Sequence, residues 1–108
     1  MARIALNGTK GAFGFETITV SSSVKTLTSS VYRTGNVTSA VLRKIATFAL
    51  ITVETDSIRF TTNGTDPATG VGHLVTSGSS IVLESETDIQ NFRALRVTND
   101  ATIQVSYA

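Results

Sequence analysis

No cysteine and no tryptophan occur anywhere in the 108 residues, and proline occurs once. Without thiols neither a disulfide framework nor a thiolate metal site can form, so packing and backbone pairing must hold the fold. Charge of one sign is lacking too: nine Lys and Arg meet eight Asp and Glu, a net of +1, with no block of like charge. That balance argues against nucleic acid or a membrane surface as partner, since either calls for a basic stripe. No apolar run approaches the roughly 18 residues needed to cross a bilayer. The opening Met1–Gly8 is too short and too polar for a signal peptide, so a chain made and used in a cytoplasm, or in a particle assembled there, is expected.

What the chain does have is threonine and serine in abundance, together with valine and isoleucine. These residues favour extended chain, through restricted χ1 and competition of their hydroxyls for backbone partners. The eight glycines are scattered and mark turns rather than a linker. A chain of this length makes one domain with a proper core. Residues 1–14, with Gly8, Gly11 and Gly14, read as an arm or loose edge; residues 15–108 read as a single β-sandwich domain.

Alternation places the strands. Glu16–Val20 is the first, with Ile18 and Val20 inward, and short extended pieces follow at Val24–Leu27 and Val31-Tyr32. Val37, Val41, Ile45 and Phe48 fall at helical spacing, yet Phe48–Val53 is a continuous β-prone run. Helix and strand both stay open for residues 37–50, and Lys44–Glu54 is assigned as a central strand buried on both faces. In Ile58–Thr61, Ile58 and Phe60 point one way and Arg59 and Thr61 the other; Asn63-Gly64 and Asp66-Pro67 then turn the chain toward Gly72–Val75. Further strands are Ile81–Leu83, Phe92–Val97 and Thr102–Tyr107, the last with Ile103, Val105 and Tyr107 inward. Arg93 and Arg96, three apart, suggest a bulge or a strand end. Seven or eight short strands with regular turns mean a two-sheet sandwich or a small barrel, and an all-β, antiparallel sandwich, jelly-roll or immunoglobulin-like, is the expectation.

The series Ile58–Pro67, Gly72-His73-Leu74 and Ile89–Arg96, flanked by Phe15–Val20 and Ala101–Tyr107, resembles a group of small tailed-phage virion proteins. The resemblance covers most of the chain and is weakest over residues 1–12 and 28–44. It implies a head decoration (cement) protein that binds the major capsid protein lattice as a homo-oligomer, a trimer by preference, with a tail or neck component as the alternative. The arm would order against a neighbour with Phe13 and Phe15 as apolar anchors, and Arg93 and Arg96 complete the expected partner-binding set. More narrowly, Phe60–Pro67 is similar to the turn in sandwich modules appended to chitobiase-type carbohydrate enzymes, which implies a carbohydrate-binding module on the virion surface as a second alternative. Phe60 and Asn63 stand where that turn carries Tyr and Asp, and Tyr32 and Tyr107 are the chain's two tyrosines, a poor supply of sugar platforms.

Catalytic signals are weak. His73 is the one histidine, no Gly-x-Ser-x-Gly elbow accompanies the serines, and a structural or exposed imidazole is expected. Glu84, Glu86 and Asp88 alternate and could share one face of a strand to bind a cation or meet Arg93 and Arg96, but they lack the glycine of a calcium loop and read as a solvated acidic face. The three Asn-x-Thr matches at Asn7, Asn36 and Asn63 are chance in so threonine-rich a chain. The glycines near the start are followed by no phosphate-loop lysine. A non-enzymatic protein without metal or cofactor is the expectation.

Overall fold

A computed structural model describes residues 13–34 and 44–108. Ten strands and two short helices follow one another: β1 (Gly14–Val20), β2 (Lys25–Thr26), α1 (Ser29–Tyr32), β3 (Arg33–Thr34), β4 (Lys44–Ile45), β5 (Ala49–Glu54), β6 (Ile58–Thr61), β7 (His73–Val75), β8 (Ser80–Leu83), α2 (Glu86–Asn91), β9 (Arg93–Arg96) and β10 (Ala101–Tyr107). Two antiparallel four-stranded sheets, ordered β1-β10-β5-β8 and β2-β9-β6-β7, form the sandwich, and β3 and β4 make a small ribbon beside them. The all-β sandwich is therefore what the alternation predicted.

Period-two patterning builds the core. Ala101, Ile103, Val105 and Tyr107 of β10 are buried, as are Ala49, Ile51 and Val53 of β5 and Ile81 and Leu83 of β8. The second sheet meets them with Ile58, Ala94 and the half-buried Phe60, and Phe92 and Ile89 close one side. Burying an isoleucine or phenylalanine side chain contributes about 1.5–3 kcal/mol, so this stripe supplies the driving force.

The ladder register is regular. Ile18 faces Ile103, which faces Val53, and Glu16 faces Val105, which faces Ile51. Glu16 thus points inward, where its Oε2 accepts from the Tyr107 hydroxyl at 2.5 Å and from the Thr28 backbone N–H at 3.1 Å. Burial, and then the neighbouring Glu16 carboxylate, push the Tyr107 hydroxyl pKa far above its ordinary value.

Several expectations need correction. Val31-Tyr32 is helical: the Thr28 carbonyl accepts from both their N–H groups, and Tyr32 packs on Tyr107 with ring centres 5.9 Å apart. Lys44–Glu54 is two strands, because Ala46 N–H turns to the Tyr32 carbonyl and Thr47 and Phe48 N–H turn to the Ala108 carbonyl. β5 is central but buried on one face, since among the described residues no layer covers the outer side of its sheet, and Leu50 and Thr52 stay half-buried there. Residues 37–43 lie outside the described residues. Glu84–Asp88 is no strand: Ser85 Oγ caps α2 by accepting from Asp88 N–H at 3.1 Å, and Glu86 and Asp88 fall in the first turn, where carboxylates suit the helix dipole. Of the two readings of Arg93 and Arg96 the strand end holds and the bulge does not: they are the first and last residues of β9, which runs in register from Thr61↔Arg93 to Ile58↔Arg96. The sandwich also begins one residue early: Gly14, counted with the arm, pairs with Tyr107.

Candidate functional site

The β6–β7 connection is the most elaborated loop. Asn63 Oδ1 accepts from Thr65 N–H at 3.1 Å, and Gly64 takes φ +83°, which glycine adopts without cost. Thr61 Oγ1 donates to the Thr65 carbonyl, Asp66 pairs with Arg93, and Pro67 is buried, so the loop lies back over the outer face of its sheet. Arg59 Nη1 ties the far end by donating to the Gly72 carbonyl at 3.1 Å. Between loop and sheet lies a groove of about 380 Å³, lined by Thr61, Thr62, Asn63, Thr65, Val71, Gly72 and His73. His73 is exposed, with its ring 5.3 Å from that of Phe60, which stacks in turn on Phe92 at 5.6 Å.

Among the described residues no hydrogen bond joins His73 to a carboxylate or a hydroxyl, and the ring beside it is that of Phe60. Glu84, Glu86 and Asp88 do not reach Arg93 or Arg96 either: Arg93 pairs with Asp66, Arg96 donates to Asp100 at 2.5 Å, and Glu86 accepts from Gln90 at 2.9 Å. No cluster of three His, Asp or Glu side chains that could hold a metal ion exists among the described residues. Both tyrosines are buried, which removes them as sugar platforms.

The other outer face, that of β1-β10-β5-β8, is built differently. Register aligns Phe15, Ser106, Leu50 and Val82 in one row, then Thr17, Gln104, Thr52 and Ser80, then Thr19, Thr102 and Glu54. Glu54 is the one charge in these rows, and Phe15 and Val82 are 61% and 50% exposed. Hydroxyls and amides here are partly knitted together: Thr17 Oγ1 donates to Gln104 Oε1 at 2.6 Å, and Gln104 Nε2 to Glu54 Oε1 at 3.2 Å. A patch with an apolar row at one end, polar rows beside it and one charge has the composition of a protein interface.

Of the four residues expected to meet a partner, Phe15 alone belongs to this face. Phe13 packs against the core, and Arg93 and Arg96 serve intramolecular pairs on the other sheet, so the structure does not bring the four together. Leu50 and Val82 were missed because each sits within a continuous apolar run whose outward phase is not legible in the sequence. No family model, curated protein or solved structure matches the chain.

Proposed function

We propose that this chain is a non-enzymatic virion protein that decorates a phage head, binding the lattice of the major capsid protein through the outer face of β1-β10-β5-β8. The observation that carries the reading is a face that, among the described residues, is nearly uncharged and uncovered and bears the row Phe15, Leu50 and Val82. At about 4.8 Å per strand and 3.3 Å per residue the face measures roughly 400 Å², half of the roughly 800 Å² per partner in a standard interface. So small a patch suits a contact repeated many times on a pre-assembled lattice, where multivalency supplies what one contact lacks.

Val82→Asp tests this at a position that is half exposed, so the fold should survive. Expanded phage heads should retain the unchanged chain in a pull-down and lose at least about tenfold of the variant, since a charge is then buried without a partner. Equal retention would overturn the assignment of the face. Copies per particle, counted by mass spectrometry, separate the readings: on the order of hundreds for a shell protein, about six or twelve for a tail or neck ring.

A further inference from the structure

The β1 edge carries an inference about self-association. Phe48 and Ala108 exchange both backbone hydrogen bonds, at 3.0 and 2.9 Å. Alternation from that pair sends the N–H and C=O groups of Thr102, Gln104 and Ser106 toward β5, and those of Ala101, Ile103, Val105 and Tyr107 toward β1. Gly14, Glu16, Ile18 and Val20 answer them. The backbone groups of Phe15, Thr17 and Thr19 therefore point out of the sheet, and among the described residues none finds a backbone partner there.

Free edges are ordinarily blunted by shortness, lysine, proline, a bulge or an inward-pointing charge. Within Gly14–Val20 β1 carries the last of these alone, Glu16, whose carboxylate its own Tyr107 and Thr28 engage; the strand is seven residues long, in continuous register, with the sequence GFETITV. The opposite edge, β8, is four residues long.

We propose that two copies of this chain pair antiparallel through β1 about a two-fold axis at Thr17, forming one continuous eight-stranded sheet. In this register Phe15 faces the partner's Thr19 and Thr17 faces the partner's Thr17, so every outward N–H meets an outward carbonyl. The side-chain pairs formed on the outer face are aromatic with β-branched, and threonine with threonine, both favourable across antiparallel strands. On the inner face Glu16 lies opposite the partner's Ile18, so no like charges meet directly, and each Glu16 is already engaged by its own Tyr107 and Thr28. The pairing is isologous and closes at two copies, in place of the trimer that the resemblance implies. It also joins the two outer faces into roughly 800 Å², the area that one partner gives to a standard interface. The pairing itself does not rest on the lattice reading; only the use of the doubled face does.

The test is the mass of the full chain by sedimentation, with Thr17→Pro and Thr17→Lys as variants. Thr17 N–H points outward, so proline deprives the monomer of no ladder bond, and lysine sets like charges opposite each other. The unchanged chain should sediment at twice 11.4 kDa, and each variant should raise the dissociation constant by at least about tenfold with an unaltered circular dichroism spectrum. Thr17→Cys, in a chain otherwise without cysteine, should give a disulfide-linked dimer on oxidation, because a hydrogen-bonded antiparallel pair brings Cα atoms to about 5.5 Å. A monomeric unchanged chain, an open series of higher masses from β1-to-β8 pairing, or variants as dimeric as the parent would each overturn the proposal. A monomer that still binds phage heads would leave the lattice reading standing, and a dimer that does not bind them would leave the pairing standing.

Discussion

Replacing Tyr107 by phenylalanine removes one oxygen from the centre of the sandwich and leaves the buried ring in place. The hydroxyl donates to Glu16, whose carboxylate then keeps only the Thr28 N–H. A hydrogen bond to a charged acceptor contributes about 1.5–3 kcal/mol, and because Glu16 is half-buried the lower part of that range, about 1.5–2 kcal/mol, is expected at pH 7. The pH dependence makes the prediction specific. The folded chain holds the Tyr107 proton to higher pH than the unfolded chain does, through burial and the Glu16 carboxylate. The unfolded tyrosine titrates near about pH 10. Below that value both states keep the proton and the stabilisation is complete. Above it the unfolded state alone loses its proton, so stability falls by up to about 1.4 kcal/mol per pH unit, and by about 1.4 kcal/mol in all at pH 11. The phenylalanine variant has no such proton at this position. The stability gap between the two proteins should therefore narrow from about 1.5–2 kcal/mol at pH 7 to less than about 1 kcal/mol at pH 11. Urea unfolding followed by far-UV circular dichroism at pH 7, 9, 10 and 11 measures it. Parallel curves across that range would refute the reasoning, as they would show that folding does not retain the proton.

Two further substitutions probe the backbone. Thr55 sits at φ 70°, a region costly for a β-branched residue, and is held there by accepting from Thr102 N–H through its hydroxyl at 3.1 Å. Thr55→Asn keeps a side-chain acceptor in a residue that tolerates this conformation, so urea unfolding should show a gain of about 0.5–1 kcal/mol; a loss would mean that the hydroxyl contact outweighs the strain. Gly72 has φ +107°, and a Cβ there would meet the Phe60 carbonyl oxygen at 3.1 Å. Gly72→Ala should cost about 2 kcal/mol or more and detach the β6–β7 hairpin, read as faster amide exchange over His73–Val75, and a cost under about 0.5 kcal/mol would refute the close approach.

The elements legible in the sequence are those in which one signal acts alone. Residues Glu16–Val20 and Thr102–Tyr107 alternate strictly, so both their existence and their inward faces follow, including Glu16, whose phase matches Ile18 and Val20. The Asn63-Gly64 turn is legible for the same reason, as Gly64 takes the positive φ that the dipeptide invites. Other elements depended on contacts distant in sequence. The break between β4 and β5 exists because Ala108, some sixty residues on, offers its carbonyl to Thr47 and Phe48. Alternation of Glu84, Glu86 and Asp88 allows a strand face beside the solvated acidic face, whereas the cap Ser85-x-x-Asp88 starts α2 there. The outward row of Phe15, Leu50 and Val82 needs three strands in register before it exists at all, and no single segment encodes it.

The two outer faces are finished in opposite ways, and this bears on how such a domain would attach. On β2-β9-β6-β7 the chain spends its own groups: Arg93 on Asp66, Arg59 on the Gly72 carbonyl, Pro67 buried beneath the loop. The exposed ion pair contributes no more than about 1 kcal/mol, so its role is to hold the loop against the sheet rather than to stabilise the fold. A partner arriving there would have to displace a folded loop and desolvate paired charges. The face of β1-β10-β5-β8 asks neither, since among the described residues it has no covering loop, one charge, and apolar groups already at the surface. On the proposed reading the domain therefore meets the lattice with that sheet and turns the groove beside His73 outward. Attachment and any recognition of a soluble ligand would then act on opposite sides of the molecule, where neither interferes with the other.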